Sequence, residues 1–460
     1  MSRGPLLSLL VAAACTEPTE SGAAPETADS SPDSGSPVAP RPTLSLPPDA
    51  EDADPAPAAE TFTLAAQLLD HEVGGIAFPG YGVNGLSPGP VLRAAIGDTV
   101  TVELHNELVD PTTLHWHGLA APNAMDGVAW MQTPIPEGGA FTYTLPVNEA
   151  GTFWYHPHVD TARQVDLGLY GAFVVTDPAE PVADLDAVLV FDAWAEFDSA
   201  NGAADDHTPP DPATVAWTVN GAEDPLWTLP AGTRARVRLI NAANTSYLSI
   251  TWPGARQIGG EQGLLAAPLA VEGLVLAPGD RAELEVDAGG GTADVTTALW
   301  SAAGGAAFGE PRRLLTVESG TEAADPLPFA FSGELPTADP GKTDLVYVFQ
   351  GGAPDTDWLI NGEAWPDVTV QHLAVGQDAI LELRNLSATN HPFHLHGNRF
   401  EVLSIDGVAP ANRRWEDTID LPIRSVTRVR MPATNPGRWA LHCHLLGHEQ
   451  GGMLTELDVD

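Results

Sequence analysis

The sequence predicts an all-β protein made of β-sandwich or β-barrel domains in series. Three observations carry this expectation: short strand signals recur along the chain, glycine (45) and proline (42) favour turns, and no long amphipathic helix interrupts them. In the first third, residues 91–94 lead into the turn Gly97-Asp98, and 99–104, 141–145 and 172–175 continue the strand pattern. The middle third offers 236–240 and 282–286, and the last third 379–383 and 425–429. Short strands with Gly/Pro turns belong to sandwiches or barrels. The chain also repeats itself. Residues 95–106, 229–241 and 375–385 each run from a turn through a strand to an asparagine: Asn106, Asn241 and Asn385. Their spacing of about 135 to 145 residues implies three copies of one domain type.

Composition narrows the function. The chain has 460 residues, too many for one core and suited to about two to four domains. Lys and Arg total 20 against 62 Asp and Glu, a formal charge of −42. Such acidity excludes nucleic-acid binding, which needs basic surface, and repels an anionic membrane. Two cysteines, Cys15 and Cys443, exclude a disulfide scaffold and any all-cysteine zinc or iron–sulfur site.

Residues 1–15 read as a lipoprotein-type signal peptide. Arg3 precedes an apolar run over 6–14, broken only by Ser8, too short to span a bilayer. Small residues before Cys15 resemble a bacterial lipobox, which would make Cys15 a lipid anchor on a periplasmic or outer-membrane-anchored protein. Ordinary secretion with cleavage near Ala14 is the alternative. Residues 16–60 hold ten prolines and ten acidic residues against Arg41 alone, a composition expected to remain a disordered acidic tether. Most of the negative charge therefore lies beyond residue 60.

The histidines are the most specific signal. Fourteen are present, and eight form four His-X-His pairs: His115/His117, His156/His158, His394/His396 and His442/His444. Chance placement gives about 0.4 such pairs. Residues i and i+2 of a strand share a face, so each pair presents two imidazoles side by side. Imidazole suits copper, iron and zinc, and eight rings suggest a cluster where the first and last domains meet. Cys443 lies between His442 and His444, so its thiol faces the opposite side of the strand. With His391, His448 and Met453 it completes a two-histidine, cysteine, methionine set of the blue-copper kind.

At these residues the sequence resembles the multicopper oxidases. His115-Trp116-His117-Gly118, His156-Pro157-His158, His391-Pro392-Phe393-His394-Leu395-His396-Gly397 and His442-Cys443-His444 through His448 to Met453 match that family's four motifs in order. The resemblance covers residues 60–460 and implies three consecutive cupredoxin-like Greek-key domains, at 61–180, 181–325 and 326–460. It implies four coppers per chain. The type 1 ion would be held by His391, Cys443, His448 and axial Met453, and the type 2 ion by His115 and His394. One type 3 ion would take His117, His156 and His444, and the other His158, His396 and His442. His71, His105, His207 and His372 are left as surface or structural residues.

The resemblance further implies a reaction in which a small reducing substrate gives single electrons near Cys443, and the Cys443 backbone leads them to His442 and His444. O2 is the acceptor, a monomer is expected, and protons are consumed. Asp126 and Glu449 are candidates for delivering those protons, the alternatives being an Asp-Gly turn and a solvated loop carboxylate. Loops near Trp358, Trp365 and 413–417 are expected to shape the donor pocket. The leading reading is a laccase-like oxidase of phenols and aromatic amines. A metallo-oxidase for Fe(II), Mn(II) or Cu(I) is the second, although five scattered methionines disfavour Cu(I). A copper-free structural factor conflicts with a complete ligand set, and a copper nitrite reductase leaves half the His-X-His pairs unexplained.

Overall fold

The computed structural model describes residues 41–460 apart from 55, 57, 195–214, 288, 290, 302–305, 321, 323–324 and 352–357. The expected signal peptide, Cys15, tether residues 16–40 and His207 lie outside the described residues. Among those described, strands dominate, and the α-helices are two short ones, Thr161–Asp166 and Leu446–Gln450. None is long and apolar enough to cross a membrane.

The described strands form five sheets. In the first third, one four-stranded sheet contains Ala59–Val73 and Thr99–Asn106, and a second contains Gly151–His156 and His115–His117. The last third has a six-stranded sheet around Asp378–Asn385 and Val426–Pro432. Its five-stranded companion holds His391–Leu395 between Thr418–Leu421 and Gly437–Cys443. In the middle third the strands join into one ten-stranded sheet. The long strand Tyr247–Gly259 is responsible. Its first half pairs with Thr292–Ser301 and its second half with Arg281–Asp287, across register shifts that let the sheet bend back on itself. Each third buries its own cluster of Leu, Val and aromatic side chains.

The repeated asparagines have a common task. Asn106 donates to the carbonyls of Asp110 and Ile135 and accepts from the Leu108 N–H. Asn241 does the same with Ser246, Leu276 and Ala243, and Asn385 with Thr389, Leu421 and Ser387. All three are buried, so each satisfies three backbone groups where a strand turns into a loop. Two of these latches precede the histidine-bearing strands that begin at His115 and His391.

One expectation is corrected. Residues 41–54, assigned to the tether by composition, lie along the folded body. Leu44 is buried in the middle cluster and its N–H donates to the Leu226 carbonyl, while Ala50 N–H donates to Val91. Arg41 pairs with Asp224 at 2.5 Å. Proline prevents neither contact, because an extended strand edge needs only alternate N–H groups.

Candidate metal centres

Two strands and a helical turn assemble a thiol site. His391–Leu395 pairs with Gly437–Cys443 so that Phe393 faces Cys443, and His448 follows on the helix Leu446–Gln450. Cys443 Sγ lies 3.4 Å from His391 Nδ1 and 3.6 Å from His448 Nδ1, and the two nitrogens are 3.2 Å apart. All three residues are buried. Met453 is buried in the same core, its N–H donating to the His448 carbonyl and its carbonyl accepting from the Cys443 N–H. Trp358 stacks on His448 with ring centres 3.6 Å apart.

On the other side of Cys443, the eight paired histidines converge. His115 lies opposite His156 across one sheet, and His394 opposite His442 across another. Only His115/His117 lies wholly within a strand. The other three pairs straddle a strand end, so the strand-period argument accounts for their first members alone. His115 and His394 approach to 3.4 Å between Nε2 atoms, His396 and His442 to 3.0 Å, and His117 Nδ1 lies 3.4 Å from His156 Nε2. His444 packs 4.9 Å from His117 and 5.5 Å from His156, centre to centre. His158, His396 and His442 form a further compact group.

The hydrogen bonds behind these rings decide which nitrogen faces inward. A carbonyl or carboxylate can only accept, so the ring nitrogen against it carries the proton and the other keeps its lone pair. His115 Nδ1 donates to the Asp126 carbonyl (2.9 Å), His394 Nδ1 to that of Asp417 (3.1 Å), and His442 Nδ1 to that of Cys443 (3.0 Å). His156 Nδ1 donates to Pro157 (2.9 Å) and His396 Nδ1 to the Asp126 carboxylate (2.8 Å). Every close approach between Nε2 atoms therefore sets two lone pairs face to face. His158 Nε2 and both His444 nitrogens are buried with no hydrogen-bond partner among the described residues. Facing lone pairs and orphaned imidazole nitrogens repel or go unsatisfied without a cation, and with one they become a ligand set. This donor chemistry fits copper.

Protonation agrees. Burial, reinforced by neighbouring rings, holds His117, His156, His158, His396, His442 and His444 well below the usual histidine range. Burial pushes His391 down to about 3. It also pushes the Cys443 thiol up, so a thiolate there needs a cation beside it.

Two family models described as multicopper oxidase match residues 72–180 and 337–460. Multicopper oxidase MmcO of Mycobacterium tuberculosis is 30% identical, with 86% of each chain covered. The chain belongs to the multicopper oxidases. As a member it is a copper-dependent oxidoreductase that uses O2 and a reducing substrate, which retires the copper-free structural reading. This oxidase is also similar to Laccase-1 of Botryotinia fuckeliana, 25% identical over 86% of this chain and 81% of that one. A solved multicopper oxidase from Campylobacter jejuni, described as a metallo-oxidase, superposes with a TM-score of 0.78. It is 25% identical, and the match covers 91% of this chain and 96% of that one.

The oxidase places both candidate acids at the cluster. Asp126 is buried, its carboxylate 2.8 Å from His396 Nδ1 and 3.4 Å from His115 Nδ1. It is an Asp-Gly turn as well: Gly127 has φ +89° and a Cβ there would collide with the Leu114 carbonyl. Glu449 is not a solvated loop carboxylate. It is buried on the helix Leu446–Gln450, 3.8 Å from His158 Nδ1, and accepts a 3.5 Å hydrogen bond from Thr161. Burial pushes its carboxyl up to about 8.

The expected donor-pocket loops divide. Trp358 stands at the thiol site, but Trp365 packs at a tilt against Trp130, whose ring meets His158 on the cluster side. Asp417, grouped with that pocket by sequence, sits behind the cluster instead. Its Oδ1 is 3.2 Å from His117 Nε2, and Thr418 Oγ1 lies 2.9 Å from the same nitrogen. Although burial pushes its carboxyl up, Arg281 and the hydrogen bonds from His117 and His394 hold Asp417 well below the usual carboxylate range. His71 donates to backbone carbonyls and stacks on Phe78, while His105 is half-buried beside Glu103 and His372 exposed beside Asp458.

Proposed function

We propose that this multicopper oxidase is laccase-like, taking single electrons from phenols or aromatic amines and passing them to O2, which leaves as water. In this reading His391, Cys443, His448 and axial Met453 hold type 1 copper, and His115 and His394 hold type 2. His117, His156 and His444 hold one type 3 ion, and His158, His396 and His442 the other. Bound copper supplies the one-electron acceptor and the four-electron store that O2 reduction requires.

The chain's own residues do the rest. Cys443 links covalently to His442 and His444, so its backbone is a short path from the thiol site to the cluster. Asp126 fixes the inward nitrogens of His115 and His396. Asp126 and Glu449 lie against cluster rings, where a carboxyl can pass a proton inward. The observation that carries the organic reading is the Trp358 indole lying flat on His448. Trp358 is buried, so it gives the His448 ring an apolar setting that suits an aromatic donor better than a hydrated metal ion.

A metallo-oxidase for Fe(II), Mn(II) or, less favoured, Cu(I) is the second reading. The −42 charge attracts cations, and the Campylobacter jejuni relative is described as a metallo-oxidase. O2 uptake by the copper-loaded protein with a phenol, Cu(I), Fe(II) and Mn(II) in parallel separates the two. The phenol is expected to give the highest kcat/KM. A higher value for a metal ion selects the second reading, and no uptake with any donor overturns both. Export of a monomer, with Cys15 as its anchor, belongs to the same proposal and rests on the run before Cys15. Cys15→Ala should move the protein from the membrane fraction to the soluble one, and retention would refute the anchor.

A further inference from the structure

In the ligand assignment above the middle domain holds no copper, yet it reaches the cluster. Arg281 opens the strand Arg281–Asp287 and is fully buried. Its Nε donates to the Thr152 carbonyl in the first domain (2.8 Å) and its Nη1 to Glu261 in the middle domain (2.8 Å). In the last domain it grips Asp417 with both nitrogens, at 2.7 Å and 2.5 Å. Gln262 Nε2 donates to the same carboxylate (2.9 Å) and to the carbonyl of Gly118, the residue after His117 (3.0 Å). Glu261 Oε2 accepts from the N–H groups of Asp417 and Thr418, at 2.7 Å and 3.0 Å.

Asp417 and Thr418 in turn touch two rings. His117 Nε2 meets the Asp417 carboxylate and Thr418 Oγ1, and His394 Nδ1 meets the Asp417 carbonyl (3.1 Å) and Thr418 Oγ1 (3.1 Å). The rings stack 3.7 Å apart, nearly parallel at 9°. Gly118 shows how tight the fit is, because a Cβ there would collide with both Arg281 and Asp417. Arg281 engages the Asp417 carboxylate on both oxygens, and Oδ1 also reaches the His117 ring.

We propose that Arg281, with Glu261 and Gln262, is a clamp through which the middle domain sets the orientation and tautomer of His117 and His394. This rests on the copper assignment above. Arg281 is a positioning residue: it touches no reacting atom, and its effect passes through Asp417. The planar guanidinium fork suits the task, since it fixes a carboxylate in direction as well as in charge.

The test uses the full copper-loaded chain and Arg281→Lys, Arg281→Met and Gln262→Leu. In all three the blue absorption at Cys443 should persist while the type 2 EPR hyperfine splitting shifts. Cluster copper affinity should fall by about 10- to 100-fold in Arg281→Met and less in Arg281→Lys. Gln262→Leu removes one donor without stranding a charge and decides the matter if Arg281→Met does not fold. An unchanged type 2 spectrum and copper affinity in Gln262→Leu overturns the clamp. Loss of the blue absorption together with the type 2 signal overturns it too, since that marks general collapse. A wild-type protein lacking a type 2 signal defeats the copper assignment instead, so the two failures are distinguishable.

Discussion

A carboxylate behind an imidazole does more than hold a charge. Asp126 accepts from His396 through its side chain and from His115 through its carbonyl, and so fixes the inward nitrogen of both rings. Asn at this position keeps an acceptor for His396 but cannot carry a proton. Asp126→Asn should therefore keep the blue colour while O2 reduction slows by about 10²-fold or more, read by stopped-flow reoxidation of the reduced enzyme. Wild-type reoxidation would leave Asp126 as a ring holder and turn residue only. Asp126 was legible only through the family resemblance, which expects an acid eleven residues after His115, since its Asp-Gly pair by itself reads as a turn. Asp417 was not, since no local pattern marks it: its partner His117 is 300 residues away, and Arg281 and Gln262 come from the middle third of the chain.

At the scale of elements, the buried asparagines account for the sequence repeat. Asn241 is the informative one to change, because no histidine segment follows it. Asn241→Ala would strand the Leu276 and Ser246 carbonyls and the Ala243 N–H. We expect a loss of about 2 to 3 kcal/mol, read from the urea midpoint with copper content unchanged. A loss below about 0.5 kcal/mol would show that water replaces the latch. A second repeated device went unread. Asn84-Gly85, Asn220-Gly221 and Asn361-Gly362 each turn with positive φ at both residues, and each asparagine bonds across to the strand paired with the one it ends. The Asn-Gly dipeptide between strand-like runs was the available signal.

For the whole molecule, the sign of the charge says less than its placement. Arg234, Arg236, Arg238 and Arg281 are buried in ion pairs, but their partners Glu285, Glu283, Glu261 and Asp417 are buried with them, so these pairs cancel inside and the acidic excess stays at the surface. Such a surface favours cationic donors. One buried acid gives a pH signature. Asp192 accepts a 2.5 Å hydrogen bond from Tyr170, and burial pushes its carboxyl up to about 7. Its folded pKa exceeds the unfolded one, so its contribution is complete in acid and is lost as pH rises through about 7. Asp192→Asn should therefore flatten the fall in Tm between about pH 4 and 7. An equal fall in both proteins would exclude Asp192 as its source.

The sequence alone determined the strand-rich fold class, the histidine pairs and the two-sided placement of Cys443, because each depends on neighbours a few residues apart. A strand sends successive side chains to opposite faces wherever it lies, so Cys443 had to look away from His442, while His444 lies past the strand end. Tertiary structure decided the rest. It brought His115 to within 3.4 Å of His394, folded residues 41–54 onto the body, and placed Arg281 behind Asp417. Those contacts join segments far apart in the chain. Their geometry comes from how whole sheets pack, which no local pattern of residues encodes.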